Sequence, residues 1–171
     1  MRTQKRYSNA TFTKRVDHEA GRHRPLRAQP EPRQCGTCGA VYRDRRWVAA
    51  ASGPDGEAPS PSPRRTTCPA CLRQASGSAR GYLYLEGAFL ELHRDEISRL
   101  LENEEERAVA DNPLGRIMTW DQKGGRLTLT TTTEHLAQRL GHALEKAFGG
   151  SIRYRFGHED KLARVWWRRD S

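Results

Sequence analysis

Four cysteines constrain this chain more than any other feature. They form two CxxC pairs, Cys35 with Cys38 and Cys68 with Cys71, and the 171 residues contain no other cysteine. Two such pairs let four thiolates converge on one tetrahedral metal ion, each pair forming a tight turn whose backbone amides point at sulfur. We therefore expect one structural Zn²⁺ in a small zinc ribbon with four cysteine ligands.

Other uses of the four cysteines are weaker. A disulfide does not suit a cytosolic protein, and a redox CxxC needs a thioredoxin-like fold that the sequence does not indicate. An iron–sulfur cluster would use the same four ligands and stays an alternative to zinc. The 29 residues between Cys38 and Cys68 exceed the usual spacing, but a proline- and serine-rich insert explains the excess because lengthening a loop costs little entropy.

The positive charge is confined to one half of the chain. Lys and Arg number 30 against 21 Asp and Glu, a net charge of +9. Residues 1–79 hold 15 basic and 6 acidic side chains, whereas residues 80–171 hold 15 of each. Arginine supplies 25 of the 30 cations, and its planar fork matches phosphate better than an ammonium does. This pattern favours a polyanionic partner.

Composition divides the chain into three regions. Residues 1–34 are arginine-rich, lack periodicity and predict a tail that is disordered when free. Residues 35–74 form the ribbon, with a flexible insert over 49–63, and residues 80–169 form a patterned domain. No apolar run is long enough to cross a membrane, and the N-terminus lacks the apolar segment of a secretory signal. We therefore expect a cytoplasmic protein without a membrane partner.

The patterned domain predicts an α+β fold. A strand over 81–85 precedes a helix that begins anywhere from Ala88 to Arg94 and is terminated by Asn112-Pro113. Strands over 114–120 and 126–132 flank a Gly124-Gly125 turn, a helix that opens at Thr131 runs to about Phe148, and a hairpin joins 151–156 to 162–168. The order β-α-β-β-α-β plus one extra strand is that of a ferredoxin-like split βαβ domain, with an antiparallel sheet and two helices on one face.

The second helix carries two specific expectations. Thr131 and Glu134 have the spacing of a capping box at its start. Its core-facing stripe should consist of five apolar residues, Leu136, Leu140, Ala143, Leu144 and Ala147.

Two basic surfaces are candidates for nucleic-acid contact. The ribbon contributes Arg43, Arg45 and Arg46, with Arg64 and Arg65 just before the second cysteine pair. Tyr42 and Trp47 would either face the nucleic acid with them or form the small core that the metal stabilises. On the second helix, a stripe of His135, Arg139, His142 and Lys146 suits phosphate but is equally typical of a solvated helix face.

A third candidate surface is the open face of the sheet. Arg153 and Arg155 alternate with apolar residues on the penultimate strand, as Arg164, Trp166 and Arg168 do on the last. If the aliphatic residues face the helices, the sheet presents arginines together with Trp166, Tyr82 and Tyr84, a composition that stacks single-stranded bases. Alternatively, the zinc module or a second subunit would pack against this face and bury it.

No catalytic motif is present: the sequence contains no GxSxG, P-loop or HExxH pattern. We therefore expect neither an enzyme nor a small-molecule substrate.

The sequence also resembles a known family. The strings GYLYLEGAFLELHRDEISRLLENEEERAVADNPLGRIMTW and TLTTTTEHLAQRLGHALEKAFGGSIRYRF, with the paired CxxC motifs, resemble a bacterial family of small zinc-ribbon proteins. Over residues 35–169 the chain is distantly similar to the archaeal and eukaryotic large-ribosomal-subunit export adaptor first named for nonsense-mediated decay. That adaptor carries more CxxC pairs, so a second metal site is not implied. The resemblance implies association with the large ribosomal subunit, its RNA or its proteins.

Together these observations predict a non-enzymatic RNA-binding protein of the ribosome or its assembly. The tail and the ribbon would bind the phosphate backbone. The alternative is a protein–protein adaptor whose neutral C-terminal domain binds a protein partner.

Overall fold

The computed structural model describes residues 31–50, 63–157 and 161–171, all within one compact unit, Glu31–Ser171. Most of the predicted tail (1–34) and of the predicted insert (49–63) lies outside these residues, so their disorder stays a prediction. Within the described ranges, no helix is both long and apolar enough to cross a membrane.

The cysteine-containing region forms a small mixed sheet followed by a helix. Its strands lie in the order β3-β2-β1-β4, with β1 parallel to β4 and the other neighbours antiparallel. The sheet begins earlier than predicted, because Arg33 and Gln34, assigned to the tail, pair with strands on both sides. The elements are β1 (Arg33–Cys35), β2 (Val41–Arg43), β3 (Arg46–Val48), β4 (Arg64–Thr66) and α1 (Pro69–Ser76).

The C-terminal region confirms the α+β prediction and the predicted order of elements. The first predicted helix is divided at His93, whose backbone leaves the helical region at φ −118° and ψ 26°. The following strand starts at Ile117 rather than Leu114. The elements are β5 (Gly81–Glu86), α2 (Ala88–Leu92), α3 (Arg94–Asp111), β6 (Ile117–Lys123), β7 (Arg126–Thr131), α4 (Glu134–Phe148), β8 (Ser151–Gly157) and β9 (Leu162–Arg168).

The five-stranded sheet is mixed, so the expectation of an antiparallel sheet was wrong at one position. Its strands lie in the order β6-β7-β5-β9-β8, and β9 runs parallel to β5. Strand β9 takes the inner position because it buries Ala163, Val165 and Trp167. Strand β8 exposes Arg153 and Arg155, which suits an edge, where charged side chains oppose pairing with other chains.

Helix α4 packs closely on one face of this sheet. Gly141 permits the approach, since a Cβ there would lie 2.6 Å from Cγ1 of Val165. The predicted stripe was partly wrong: Ala147 is exposed and Ala143 half-buried. Ala137 and Gly141 are buried instead, because only small residues fit where α4 lies closest to the sheet. The buried core residues of α4 are Leu136, Ala137, Leu140, Gly141 and Leu144.

The cap of α4 differs from the predicted capping box. Thr133 is the N-cap residue, and its Oγ1 accepts a hydrogen bond from the Leu136 N–H at 3.3 Å. Thr131 is buried in β7, and its hydroxyl donates to the Thr133 carbonyl at 2.8 Å. The predicted cap was therefore two residues early.

Ion pairs connect α3 to α4. Arg139 Nε lies 3.0 Å from Oε2 of Glu104, and its Nη1 lies 3.2 Å from Oδ2 of Asp111. Arg107 adds a 2.8 Å contact to Glu104. The hydrogen bond from Arg139 holds the pKa of Glu104 below its ordinary value, against the opposing effect of burial.

This lowered pKa predicts an acid-sensitive contact. Since Glu104 is charged in the folded chain at a lower pH than in the unfolded chain, its stabilisation is complete above about pH 5 and is lost as the pH falls through the folded-state pKa. Glu104→Gln should therefore lower the free energy of unfolding by about 1 kcal/mol at pH 7, and by less at about pH 3. Urea denaturation at both pH values measures this.

Glu102→Gln provides the control, because Glu102 is exposed on the same helix. If Glu104→Gln lowered the free energy of unfolding equally at the two pH values, the lowered pKa of Glu104 would be contradicted.

Candidate metal centre

The structure brings the sulfur atoms of Cys35, Cys38, Cys68 and Cys71 together, all within 4.8 Å of one another. Two of the distances are 3.8 Å, from Cys35 to Cys71, and 3.7 Å, from Cys38 to Cys68. Zinc–sulfur bonds of about 2.3 Å in a tetrahedron give sulfur–sulfur edges of about 3.8 Å. All four cysteines are free thiols, so the cluster has the size and the donors for one four-coordinate ion.

The same distances disfavour a polynuclear cluster. An iron–sulfur cluster spreads its four thiolates over two or four irons and holds them farther apart than one ion does. The donor set therefore fits a single metal ion, and thiolates select a soft or borderline one.

The first cysteine pair lies in the predicted tight turn. The Cys35 N–H donates to the Ala40 carbonyl at 2.8 Å, and the Gly39 N–H donates to the Cys35 carbonyl at 2.9 Å. Gly39 has a φ of +77°, a left-handed conformation in which glycine has no steric cost. The turn directs both sulfurs of this pair to one side of β1.

The second pair opens a helix. Cys68 is the N-cap residue of α1, and its Sγ accepts from the Cys71 N–H at 3.5 Å. Its own N–H donates to Cys35 Sγ at 3.3 Å, which ties the two pairs together. The partial positive charge at a helix N-terminus stabilises thiolate. The sequence predicted a tight turn here and not a helix, although Pro69 at the first helical position is a signal that could have indicated one.

Without an ion the thiols ionise unequally. Burial raises the pKa of Cys68 and of Cys71. Burial also acts to raise the pKa of Cys35, but backbone N–H groups of Cys68, Cys38 and Thr37 outweigh it and lower the value to about 6. A bound cation would favour the thiolate form of all four, so metal binding should release protons and strengthen as the pH rises.

Arg116 lies beside the sulfurs and was not predicted. Its Nη1 is 3.9 Å from Cys71 Sγ. Burial tends to lower the pKa of this guanidinium, but the neighbouring thiolate sulfurs, Cys38 foremost, raise it overall. Its Nε donates to the Pro113 carbonyl at 2.9 Å, which fixes the side chain. Arg116 thus offsets part of the negative charge that four thiolates and a divalent ion would leave.

The cysteine-containing region (residues 31–50 and 63–76, the predicted ribbon) contacts the α+β domain next to this cluster. Leu114 packs against the buried cysteine cluster, together with Trp47. Thr132 is fully buried; its Oγ1 accepts from the Arg116 N–H at 2.8 Å and donates to the Leu114 carbonyl at 2.5 Å. Its carbonyl accepts from Arg73 of α1 at 3.1 Å. Thr132 therefore links α1, the segment 114–116 and the start of α4.

The predicted nucleic-acid residues lie on three separate surfaces. On the ribbon, Arg45, Arg46, Arg64 and Arg65 are exposed and Arg43 is half-buried. On β8, Arg153 and Arg155 are exposed.

The helix α4 stripe is less suited to phosphate. Arg139 is engaged by Glu104 and Asp111. His135 lies 3.8 Å from Glu134 and His142 lies 3.9 Å from Glu145. Only Lys146 of the stripe is an exposed cation without a carboxylate within ion-pair distance among the described residues.

Comparisons with protein-family models, with curated proteins and with solved structures find no match.

The linking role of Thr132 predicts a stability effect. Thr132→Val keeps the shape of the side chain but leaves the Arg116 N–H and the Leu114 carbonyl without their buried partner. The free energy of unfolding should fall by about 1–3 kcal/mol, measured by urea denaturation.

Thr130→Val is the matched control, two residues earlier on β7. The Thr130 hydroxyl bonds to Thr119 at an exposed position, so its loss should cost about 0.5 kcal/mol or less. Equal losses from the two variants would show that Thr132 has no special role.

Proposed function

We propose that the protein is a non-enzymatic zinc-ribbon RNA-binding protein that associates with the large ribosomal subunit or its assembly in the cytoplasm. Its metal would be one structural Zn²⁺ on Cys35, Cys38, Cys68 and Cys71. The observation that carries the proposal is the concentration of exposed arginines on the ribbon that these cysteines hold together.

The charge of the ribbon favours a polyanion. Residues 31–50 and 63–79 contain seven arginines and only two carboxylates, Glu31 and Asp44. Arg43 lies directly opposite Arg46 in the β2–β3 ladder, and Arg33 lies beside Arg64 in the β1–β4 pair. Like charges placed opposite each other destabilise a sheet. A phosphate backbone would add negative charge beside these arginines and so favour a surface of this composition.

One of the two carboxylates has a structural role. The Glu31 side chain accepts hydrogen bonds from the backbone N–H groups of Asp44, at 2.9 Å, and Arg45, at 3.0 Å. Asp44 and Arg45 have φ values of 50° and 60°, as in the tight turns that match the twist of a hairpin. Glu31 thus stabilises the turn that projects Arg45 and Arg46, and phosphate could approach these cations from the outside.

Three further parts of the proposal rest on different support. Zinc is the commonest ion in tetrahedral four-thiolate sites. The ferredoxin-like description is supported by the order of elements, with β9 inserted between the first and fourth strands of that arrangement. The large ribosomal subunit as the target is supported by the family resemblance alone.

A protein–protein adaptor is the second candidate. Two exposed apolar side chains favour it: Leu92 is 81% exposed and Trp120 is 40% exposed, both in the domain without net charge. The test is a pull-down after nuclease treatment. A protein partner that is retained by the wild-type chain and not by the Leu92→Ser variant would favour the adaptor over RNA binding.

The RNA proposal predicts a particular salt dependence. The triple variant Arg46→Gln, Arg64→Gln and Arg65→Gln should bind a ribosomal RNA fragment more weakly. The slope of log affinity against log salt should become shallower by about 2, since each lost phosphate contact removes about 0.7–0.9. Fluorescence anisotropy across a KCl series measures the slope.

Removing the same charge elsewhere is the control. Arg94, Arg99 and Arg107 are exposed on α3, and their replacement by glutamine should leave the slope nearly unchanged. Equal changes in slope would reject the ribbon as the binding surface, and no binding by the wild-type chain at low salt would reject RNA binding itself.

A further inference from the structure

The open face of the five-stranded sheet carries a row of aromatic rings. Tyr82 and Tyr84 alternate along β5 with the buried Leu83 and Leu85. Trp166 occupies the same position on β9, in register with Tyr84. These three side chains therefore lie on the side of the sheet opposite to the leucine core.

The rings are nearly parallel. The centroids of Tyr82 and Tyr84 are 6.3 Å apart with an interplanar angle of 11°, and those of Tyr84 and Trp166 are 5.5 Å apart with an angle of 20°. The row as a whole forms an aromatic surface on this face of the sheet, of the kind on which planar groups stack. A polynucleotide with its bases unstacked presents such groups along an extended backbone.

Arginine side chains lie over the rings. The Arg153 guanidinium lies over Trp166, 4.9 Å from the ring centre, that of Arg164 lies over Tyr82 at 6.0 Å, and that of Arg126 lies over Tyr84 at 5.9 Å. An RNA base that stacks on one of these rings would take the place of the guanidinium. Arg155 lies opposite Arg164 in the β8–β9 ladder. We call the following six residues the aromatic platform: Tyr82, Tyr84, Trp166, Arg153, Arg155 and Arg164.

The platform arginines differ from the other cations of this face in their partners. Arg126 and Arg168 form ion pairs with Glu86 and Asp170. By contrast, within the described part of the chain no carboxylate lies in ion-pair distance of the three platform arginines. Arg155 and Arg164 are also like charges on adjacent strands, which destabilises the sheet unless an anion lies between them.

Threonine hydroxyls border the rings on the other side. Thr130 and Thr128 of β7 lie in register with Tyr82 and Tyr84. Hydroxyl groups there offer hydrogen bonds to a ribose 2′-OH, which is the group that distinguishes RNA from DNA.

From this arrangement we propose that the aromatic platform binds single-stranded RNA. The rings stack unpaired bases and the arginines contact the adjacent phosphates. This inference rests on the proposed function. It adds a second RNA-binding surface, apart from the ribbon, and specifies that the RNA bound there is single-stranded. The contacts described above between the ribbon and the α+β domain involve Leu114, Arg116 and Thr132. None of these three is a platform residue.

The test compares three probes with the full-length chain: a single-stranded RNA of about 12 nucleotides, the corresponding RNA duplex and the single-stranded DNA of the same sequence. Anisotropy is measured at about 200 mM KCl, where purely ionic contacts are weakened and stacking persists. Trp166→Ala should weaken binding to single-stranded RNA about tenfold and leave duplex binding unchanged. Trp166→Phe, which keeps a ring, should restore most of the affinity.

The matched control is Trp120→Ala. Trp120 is a partly exposed tryptophan that pairs with Leu129 on the helix side of the sheet, so its loss should leave single-stranded binding unchanged. If Trp166→Ala fails to fold, Arg153→Gln replaces it, since Arg153 is exposed. That variant should weaken single-stranded binding about two- to fivefold.

The outcomes separate the two proposals. Wild-type binding of single-stranded RNA that Trp166→Ala and Arg153→Gln leave intact would overturn the platform and leave RNA binding in place. Equal loss for single strand and duplex, or equal affinity for RNA and DNA single strands, would overturn the assignment to single-stranded RNA. A dimer that dissociates on Trp166→Ala would show instead that a second copy covers the face. No binding of any RNA by the wild-type chain would overturn the proposed function and the platform together.

Discussion

Four cysteine sulfurs converge at the place where the small cysteine-containing sheet meets the α+β domain. The strands of the cysteine-containing sheet are three residues long each, and its buried cluster consists of Cys35, Cys68 and Cys71 with Ala40 and Ala70. So small a core supplies little hydrophobic stabilisation, which is why domains of this size commonly depend on a metal. The same cluster also receives Leu114 and Arg116 from the α+β domain. A metal ion at this point would therefore stabilise the fold of the ribbon and its attachment together.

Metal binding would also explain how so small a sheet tolerates several arginines on neighbouring strands. Arginines that face one another across short strands repel, and the sheet has no large core to offset that repulsion. A metal ion on these cysteines would fix the backbone at the base of the strands, where Cys35 ends β1 and Cys68 is the N-cap residue of α1. Arg45, Arg46, Arg64 and Arg65 are exposed, whereas Cys35, Cys68 and Cys71 are buried. Metal binding and the proposed contact with a polyanion would therefore use different side chains of the same small region.

Parts of this arrangement were readable from the sequence because they depend on local patterns. The CxxC spacing indicated the four ligands, and the leucine and tyrosine alternation of β5 indicated the two faces of the sheet. Other parts depend on contacts between distant segments. Nothing near Thr132 or Arg116 in the chain indicates that they meet Arg73 and Cys71. Similarly, the parallel pairing of β9 with β5 follows from which strand of the last hairpin buries more apolar surface, and the small residues of α4 are selected by close packing on Val165.

The central claim is that one ion, coordinated by four cysteine sulfurs, organises this junction. X-ray absorption at the zinc edge of the purified full-length protein, with elemental analysis of the same sample, tests it most directly. We predict about one zinc per chain and a first shell of four sulfurs at about 2.3 Å. Fewer sulfur ligands, stoichiometric iron in place of zinc, or a fully folded protein without any metal would contradict it.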